Sequence, residues 1–427
     1  MKPYAQLTAE ERKVEYASLS EKFNRYCALG LKLNMARGKP SAAQLDMVSD
    51  ICSVLSENDS FFRDGVDVRN YGELMGLPSA RRLFAELLGV DAEEVMVGGN
   101  SSLELMFDLV SKAYTHGLLH SPRPWAQEKT VKFLCPVPGY DRHFKISQSF
   151  GMKLIPIPLT QDGPDMDAVE EAVKDPCVKG MWCVPKFSNP DGITYSEKTV
   201  RRIAALHPAA ADFALIWDNA YCIHEIFGDF EPFCNILSVC REYGNTDMVY
   251  EFASTSKITF PGAGVAVMAS SVENLKHIES ILTCQTISFD KMNQLRHVLY
   301  LKDKEHTLKL MRRHAEILRP KFEAVLETLK NDLDSLNIAH WSAPKGGYFV
   351  SFYAMPQTAK RIVALMKQAG IVMTAAGATY PYGIDPNDSN IRIAPTLPPV
   401  EEVKLAMEVF TVCVRLAALE RLDETNP

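Results

Sequence analysis

From about residue 67 onward, short apolar runs alternate with amphipathic helical stretches, and this rhythm restricts the fold more than any other feature of the chain. The runs fall at 131–135, 153–159, 180–184, 213–217, 248–252 and 264–269, with helical patterns at 166–174 and 197–206 between some of them. Strands alternating with helices point to a largely parallel sheet in an α/β domain. Leu77-Pro78-Ser79 opens a helix whose apolar positions are Leu83, Phe84, Leu87 and Leu88, and Gly89 closes it. Residues 94–97 read as a short strand that runs into Gly98-Gly99-Asn100-Ser101-Ser102 and then a helix over 103–114.

After about Glu305 the rhythm changes. A long polar helix (306–331) leads into Gly346-Gly347-Tyr348-Phe349-Val350-Ser351-Phe352, read as a strand. A helix over 357–368, strands at 371–374 and 390–393, and a closing helix over 400–422 follow. This is the pattern of a smaller α+β domain. A chain of 427 residues exceeds one small core. The expected division is a large domain over 49–305 and a small domain made of 1–48 and 306–427.

Composition narrows the function classes. Hydrophobic residues are 47% and charged residues 23%, with a net charge of -7. There is no basic block of the kind that binds nucleic acid or an anionic membrane. No apolar stretch reaches the about 18 residues that cross a bilayer, and residues 1–20 lack the apolar core of a signal peptide. The 10 cysteines are scattered without a Cys-x-x-Cys pair. They read as buried free thiols of a reducing compartment rather than as disulfides or metal ligands. A cytoplasmic protein without a metal is expected.

The residue types that carry chemistry fall at strand ends. Lys257, in Ser254-Thr255-Ser256-Lys257, follows the run at 248–252. A buried lysine loses its charge easily, and the resulting amine can hold an aldehyde as a Schiff base. Asp218 ends the neighbouring run at 213–217, with Tyr221 just beyond it. A carboxylate there is the partner that a pyridinium nitrogen needs. Together the two indicate pyridoxal phosphate (PLP) and amino-acid chemistry. Gly98-Gly99-Asn100-Ser101-Ser102, between a strand and a helix, is either an N-capped turn or an anion site built from N–H groups, hydroxyls and a helix dipole. Tyr140, in Pro136-Val137-Pro138-Gly139-Tyr140, either packs on a loop or stacks on a heterocycle. Asn189, in Asn189-Pro190-Asp191-Gly192, is turn chemistry or a donor to a phenolate oxygen. Arg392 lies on an alternating apolar strand, Ser389-Asn390-Ile391-Arg392-Ile393-Ala394-Pro395. It is either solvated or a guanidinium fork for a carboxylate.

The order of these stations resembles fold type I PLP enzymes, and among them the aspartate aminotransferases, over roughly residues 32–395. The phrases Ala36-Arg37-Gly38-Lys39-Pro40, Arg69-Asn70-Tyr71-Gly72, Pro138-Gly139-Tyr140-Asp141-Arg142-His143-Phe144 and Ser256-Lys257-Ile258-Thr259-Phe260-Pro261-Gly262 are similar to a bacterial subgroup. That subgroup is allied to the aminotransferase-like domain of MocR-type regulators. Those regulators carry an upstream helix-turn-helix module, for which the about thirty residues before Leu33 are too few. The resemblance implies a large domain with a mostly parallel sheet flanked by helices, plus a smaller α+β domain. It also implies transamination between aspartate and 2-oxoglutarate by a ping-pong route. Another amino donor (alanine or an aromatic amino acid), or a lyase or decarboxylase on the same fold, is the alternative.

Residue by residue, the resemblance implies that Lys257 holds the cofactor and Asp218 pairs with its ring nitrogen. Tyr221 and Asn189 bond its phenolic oxygen, and Tyr140 stacks on its ring. Asn100, Ser101, Ser102 and Ser254 hold its phosphate. Tyr71 resembles the tyrosine that reaches the phosphate from a partner subunit, so a homodimer with shared active sites is implied. Arg392 takes the substrate α-carboxylate, with Asn189 and the Gly38 backbone nearby. For a second carboxylate the candidate cations are Lys291, Arg296, Arg37, Lys39 and Arg142. One departure stands out. The family's arginine soon after the lysine is absent from Pro261-Gly262-Ala263-Gly264-Val265-Ala266, and the next basic residue is Lys276.

Overall fold

The computed structural model describes residues 2–57 and 61–425. Its centre is an eight-stranded sheet. The strands are β1 (Val95–Val97), β2 (Lys132–Val137), β3 (Lys153–Thr160), β4 (Gly163–Pro164), β5 (Val178–Cys183), β6 (Ala214–Asp218), β7 (Val249–Ser254) and β8 (Ala266–Ser270). They lie in the order β1-β8-β7-β6-β5-β2-β3-β4. The helices that matter to the site are α1 (Ala9–Ala28), α2 (Pro78–Leu88), α3 (Ser102–Thr115), α4 (Asp141–Ser149), α5 (Lys304–Leu333) and α6 (Val400–Thr425). Pro78 stands at the start of α2, and Gly89, at φ 75°, ends it in the left-handed region, as the sequence suggests.

The apolar runs are explained by burial on both faces. Along β6, Leu215 and Trp217 enter one apolar cluster, and Ala214 and Ile216 enter another on the opposite face. On β5, Met181 and Cys183 face one way and Trp182 the other. Strand side chains alternate, so two covered faces require an apolar residue at almost every position.

From β3 through β2, β5 and β6 to β7 the pairs are all parallel. At the two ends the course reverses: short β4 is antiparallel to β3, and β8 is antiparallel to both β7 and β1. For β8 the cause is local. A parallel crossover takes about a dozen residues or more and usually a helix, whereas only the tight segment holding Lys257 separates β7 from β8. That return leaves Lys257 at the same sheet edge as Asp218.

A third apolar cluster joins the two ends of the chain. Leu19 and Phe23 of α1 pack with Phe410, Val414 and Ala417 of α6, and with a three-stranded antiparallel sheet. Those strands are β9 (Ala339–Trp341), β10 (Val350–Ala354) and β11 (Asn390–Ile393), with Ser351 opposite Arg392. α5 carries Leu310 and Met311 in one cluster and Leu318, Phe322 and Val325 in another, with Pro320 inside the second stretch.

The strand expected from Gly346 starts only at Val350. Gly346 and Gly347 press instead on the loops that follow β6 and β5. A Cβ on Gly346 would lie 2.3 Å from His224 O, and one on Gly347, at φ 82°, 2.8 Å from Phe187 Cβ. None of the 10 cysteines is in a disulfide, and Cys52 and Cys284 are exposed rather than buried. No helix among the described residues is long and apolar enough to cross a membrane.

Glu251, mid-strand in β7, is buried between Asn219 and Asn235, whose amides donate to it at 2.8 and 3.1 Å. Burial pushes its pKa up to about 7 from 4.5. The folded state therefore binds a proton that the unfolded state has released over this window, and stability falls as pH rises from about 4.5 to 7. The full effect is on the order of 3 kcal/mol. Glu251→Gln is expected to flatten this slope and to raise the melting temperature relative to the parent at pH 8 more than at pH 5. Thermal melts across that range check it, and an unchanged slope would exclude Glu251 as its source.

Candidate active site

The parallel register sets Asp218 beside Phe252, so the ends of β6 and β7 open on one side of the sheet. The Lys257 amine lies 5.0 Å from the ring centre of Tyr221 and 5.7 Å from that of Tyr348. Desolvation lowers its pKa below the ordinary lysine value, and the charge of Asp218 acts in the opposite direction. The wall behind it is braced. Gln44 Nε2 donates to Tyr348 Oη and approaches His314 Nδ1, each at 3.1 Å. His314 Nε2 donates to Ile258 O at 2.9 Å, next to Lys257. His224, also buried, has neither ring nitrogen paired among the described residues, and burial holds its pKa well below the usual value.

Asp218 is 4% exposed, and its two oxygens differ. Oδ2 lies 2.9 Å from His143 Nε2, and the His143 ring stacks on Trp182 at 4.5 Å. Trp182 in turn donates to Ser147 Oγ at 2.9 Å. Oδ1 has no hydrogen-bond partner among the described residues. A buried carboxylate oxygen without a donor is an incomplete arrangement. The N–H of a protonated pyridine is the kind of donor it lacks. Tyr140 meets His143 edge-on at 5.0 Å. His143 is a site residue that the sequence does not single out. Its signal was its place in the first turn of α4, just after the aromatic at a strand end.

Arg392, on β11, reaches the same edge from the other cluster. Its Nη1 donates to Asn189 Oδ1 at 3.1 Å and to Asp141 Oδ1 at 3.3 Å, and its guanidinium lies over the Phe349 ring at 4.7 Å. Its Nε has no partner among the described residues. Phe349 rests on Gly38, where an added Cβ would fall 2.5 Å from the ring. Gly38→Ala is therefore expected to push Phe349 from beneath Arg392. KM for every carboxylate substrate should rise about tenfold with a smaller change in kcat. Steady-state kinetics check this, and an unaltered KM would remove Gly38 from carboxylate binding.

The turn Gly98-Gly99-Asn100-Ser101-Ser102 is laced to the loop after Lys257. Gly98 N donates to Ala266 O at 2.9 Å, Ala266 N to Gly99 O at 2.8 Å, and Asn100 Nδ2 to Gly262 O at 3.4 Å. Ser101 precedes α3 with no capping bond from its side chain, and Ser102 begins the helix. Ser254 Oγ donates to Ser256 Oγ at 3.0 Å. Within the stretch that lacks a cation, Gly264 is closely packed. A Cβ there would lie 2.9 Å from Thr255 Oγ1 and 3.0 Å from Phe260 O, which leaves no room for a side chain. Arg296 Nη2 donates to Ala263 O at 3.3 Å and to Asn293 Oδ1. Tyr71 is not gathered into this cluster, since it stands 77% exposed on the surface.

The donor set fits a pyridine aldehyde phosphate. It offers a desolvated amine, a buried acceptor oxygen, an aromatic face, and a turn of N–H and hydroxyl groups at a helix N-terminus.

Comparisons with known proteins agree. A family model described as aspartate amino-transferase matches residues 7–426. An aspartate aminotransferase of Corynebacterium glutamicum is 46% identical over 412 residues, covering 96% of this chain and 95% of that protein. The crystal structure of an aspartate transaminase from Corynebacterium glutamicum superposes with a TM-score of 0.96 at 45% identity, covering 98% of this chain and 99% of the other. An aspartate aminotransferase from Thermus thermophilus, solved with maleate, shares the fold at a TM-score of 0.67 and 17% identity, covering 93% of this chain and 96% of the other. With the family model matched over residues 7–426 and relatives at 45–46% identity over nearly the whole chain, this chain belongs to the aspartate aminotransferase family.

Proposed function

We propose that the chain is a PLP-dependent aminotransferase that moves the amino group of aspartate to 2-oxoglutarate by a ping-pong route. In this reading it is a cytoplasmic homodimer with shared sites. The observation that carries the reading is the pairing of a desolvated Lys257 amine with a buried, unpartnered Asp218 oxygen at one sheet edge. The aspartate donor is supported by the names of the Corynebacterium glutamicum relatives.

When bound, PLP supplies an electron sink for the pair released as the substrate Cα–H bond breaks. The chain's own residues do the rest. Lys257 Nζ takes the proton from Cα and returns it, as a lowered pKa favours. Asp218 Oδ1 accepts from the ring nitrogen. Tyr221 and the Asn189 amide donate to the phenolic oxygen, and Tyr140 covers the ring. Asn100, Ser101, Ser102 and Ser254 take the phosphate. Arg392 receives the α-carboxylate, with Asn189 and the Gly38 backbone beside it. The divided apolar clusters support a cofactor unit over 49–305 and a second unit of 1–48 with 306–427.

The direct test is a half-reaction screen. Each amino acid is mixed singly with the holoenzyme and the cofactor's absorption followed. Aspartate and glutamate are expected to convert it, releasing the matching oxo acid. Release of pyruvate and ammonia from a β-substituted amino acid without any acceptor would favour a lyase instead.

The exposed Tyr71 supports sharing between subunits. Tyr71→Ala and Lys257→Ala chains are each expected to be impaired. Co-expressed, they should regain about a quarter of the parental activity, because half of randomly formed dimers hold one intact site. No gain over the separate variants would place Tyr71 outside the shared site.

A further inference from the structure

A dicarboxylic substrate carries a second carboxylate, and Arg392 answers only one. Among the candidate cations two are already engaged. Lys291 is buried and donates to Gly72 O at 2.8 Å, and Arg296 rests on Ala263 O and Asn293.

Arg142 is placed differently. It is the second residue of α4, and the first, Asp141, lies between it and Arg392. Asp141 Oδ1 is 3.3 Å from Arg392 Nη1. Asp141 Oδ2 is 4.0 Å from Arg142 Nε and 3.9 Å from Lys145 Nζ. One carboxylate of the protein thus occupies the space between two guanidinium groups. The Arg392 side chain is 9% exposed and the Arg142 side chain 47%, so the first is fixed in the wall and the second stands at the mouth. Tyr140, just before them, registers the whole group. Burial raises its pKa to about 12, Asp218 and Asp141 add to the rise, and Arg392 and Arg142 oppose it. Arg142 is thus within Coulombic reach of Tyr140 despite its exposure.

We propose that Arg142, supplied by the same chain, receives the side-chain carboxylate of a dicarboxylic amino or oxo acid, while Asp141 holds both guanidinium groups until the substrate's carboxylates replace it. This deepens the transaminase reading and rests on it. The geometry favours a dicarboxylate because the site already balances two guanidinium groups, with Lys145 beside them, around an internal carboxylate, which a monocarboxylate would only half replace.

The test compares aspartate with alanine, and succinate with butyrate, on the holoenzyme. Arg142→Ala is expected to raise KM for aspartate about 10- to 100-fold, the range of a lost charge-assisted pair. KM for alanine should stay within about twofold. The Kd for succinate, measured by calorimetry, should rise in parallel, with butyrate unaffected. Arg142→Lys should recover part of the loss, and Arg37→Ala and Lys39→Ala should leave the aspartate-to-alanine ratio unchanged. Asp141→Asn should tighten succinate. An unchanged ratio and unchanged succinate binding in Arg142→Ala would overturn the assignment, as would their loss in Arg37→Ala or Arg296→Ala instead. Failure of the parent to take an amino group from any amino acid would overturn the transaminase reading, and the succinate titration would still decide Arg142.

Discussion

Lys257→Ala is expected to lose amino transfer by about 10⁴-fold or more, the upper range for removing a positioned acid–base group, while its thermal stability stays within about 1 kcal/mol of the parent. The two halves of this result have one origin. The amine lies against the faces of Tyr221 and Tyr348, and desolvation already disfavours its charge. Cutting the side chain back leaves Asp218, whose charge acts on the amine, still held by His143. The same desolvation sets the pH behaviour. The neutral amine is the working form, so the parent's half-reaction rate should climb with pH through a pKa below the ordinary lysine value. The alanine variant should lack that limb. Borohydride treatment of the parent holoenzyme should fix the mass of the cofactor on the peptide containing Lys257, and on no peptide of the variant. Near-parental turnover by Lys257→Ala, or a cofactor mass on a different lysine, would refute the assignment.

The features legible in the sequence are those that depend on neighbours along the chain. β6 and β7 are readable because burial on both faces makes them continuous apolar runs, and Asp218 and Lys257 are readable because they interrupt or follow such runs. α2 was marked at both ends by Pro78 and Gly89. Contacts across long sequence separations were not legible. Nothing near Asp218 in the chain announces that His143 will hold one of its oxygens, or that Trp182 will hold His143. Asp141 reads as a helix-starting acid and shows its second role only when β11 brings Arg392 to it. The antiparallel course of β8 was within reach, since the length of the segment after Ser254 argues against a crossover. Gly264 is a mixed case. The sequence shows that a cation is missing from the stretch, and the packing of Thr255 and Phe260 shows why Gly264 itself carries no side chain.

Asp218→Asn is expected to lower kcat by about 10²–10³-fold, the range for removing one preorganised electrostatic partner of a developing charge, with the cofactor still bound. Asparagine keeps the shape of the residue and one acceptor. It cannot offer a charged acceptor both to His143 and to a ring N–H. Whichever way the amide turns, an NH₂ group faces one of those two donors, because Oδ2 is already engaged by His143 and Oδ1 is the atom left open. The loss should therefore fall on kcat more than on KM, since Arg392 and the turn before α3 remain intact. His143→Ala separates the charge from its orientation. It removes the ring that fixes Oδ2 and leaves a carboxylate free to rotate, so it should give a smaller fall in kcat than Asp218→Asn. It should also loosen the packing against Trp182, seen as a changed tryptophan emission. His143 is thus a positioning residue, and Asp218 is the group that meets the cofactor. A kcat for Asp218→Asn within a few fold of the parent would mean that the open oxygen serves no pyridine nitrogen, and that the chemistry assigned to this sheet edge is wrong.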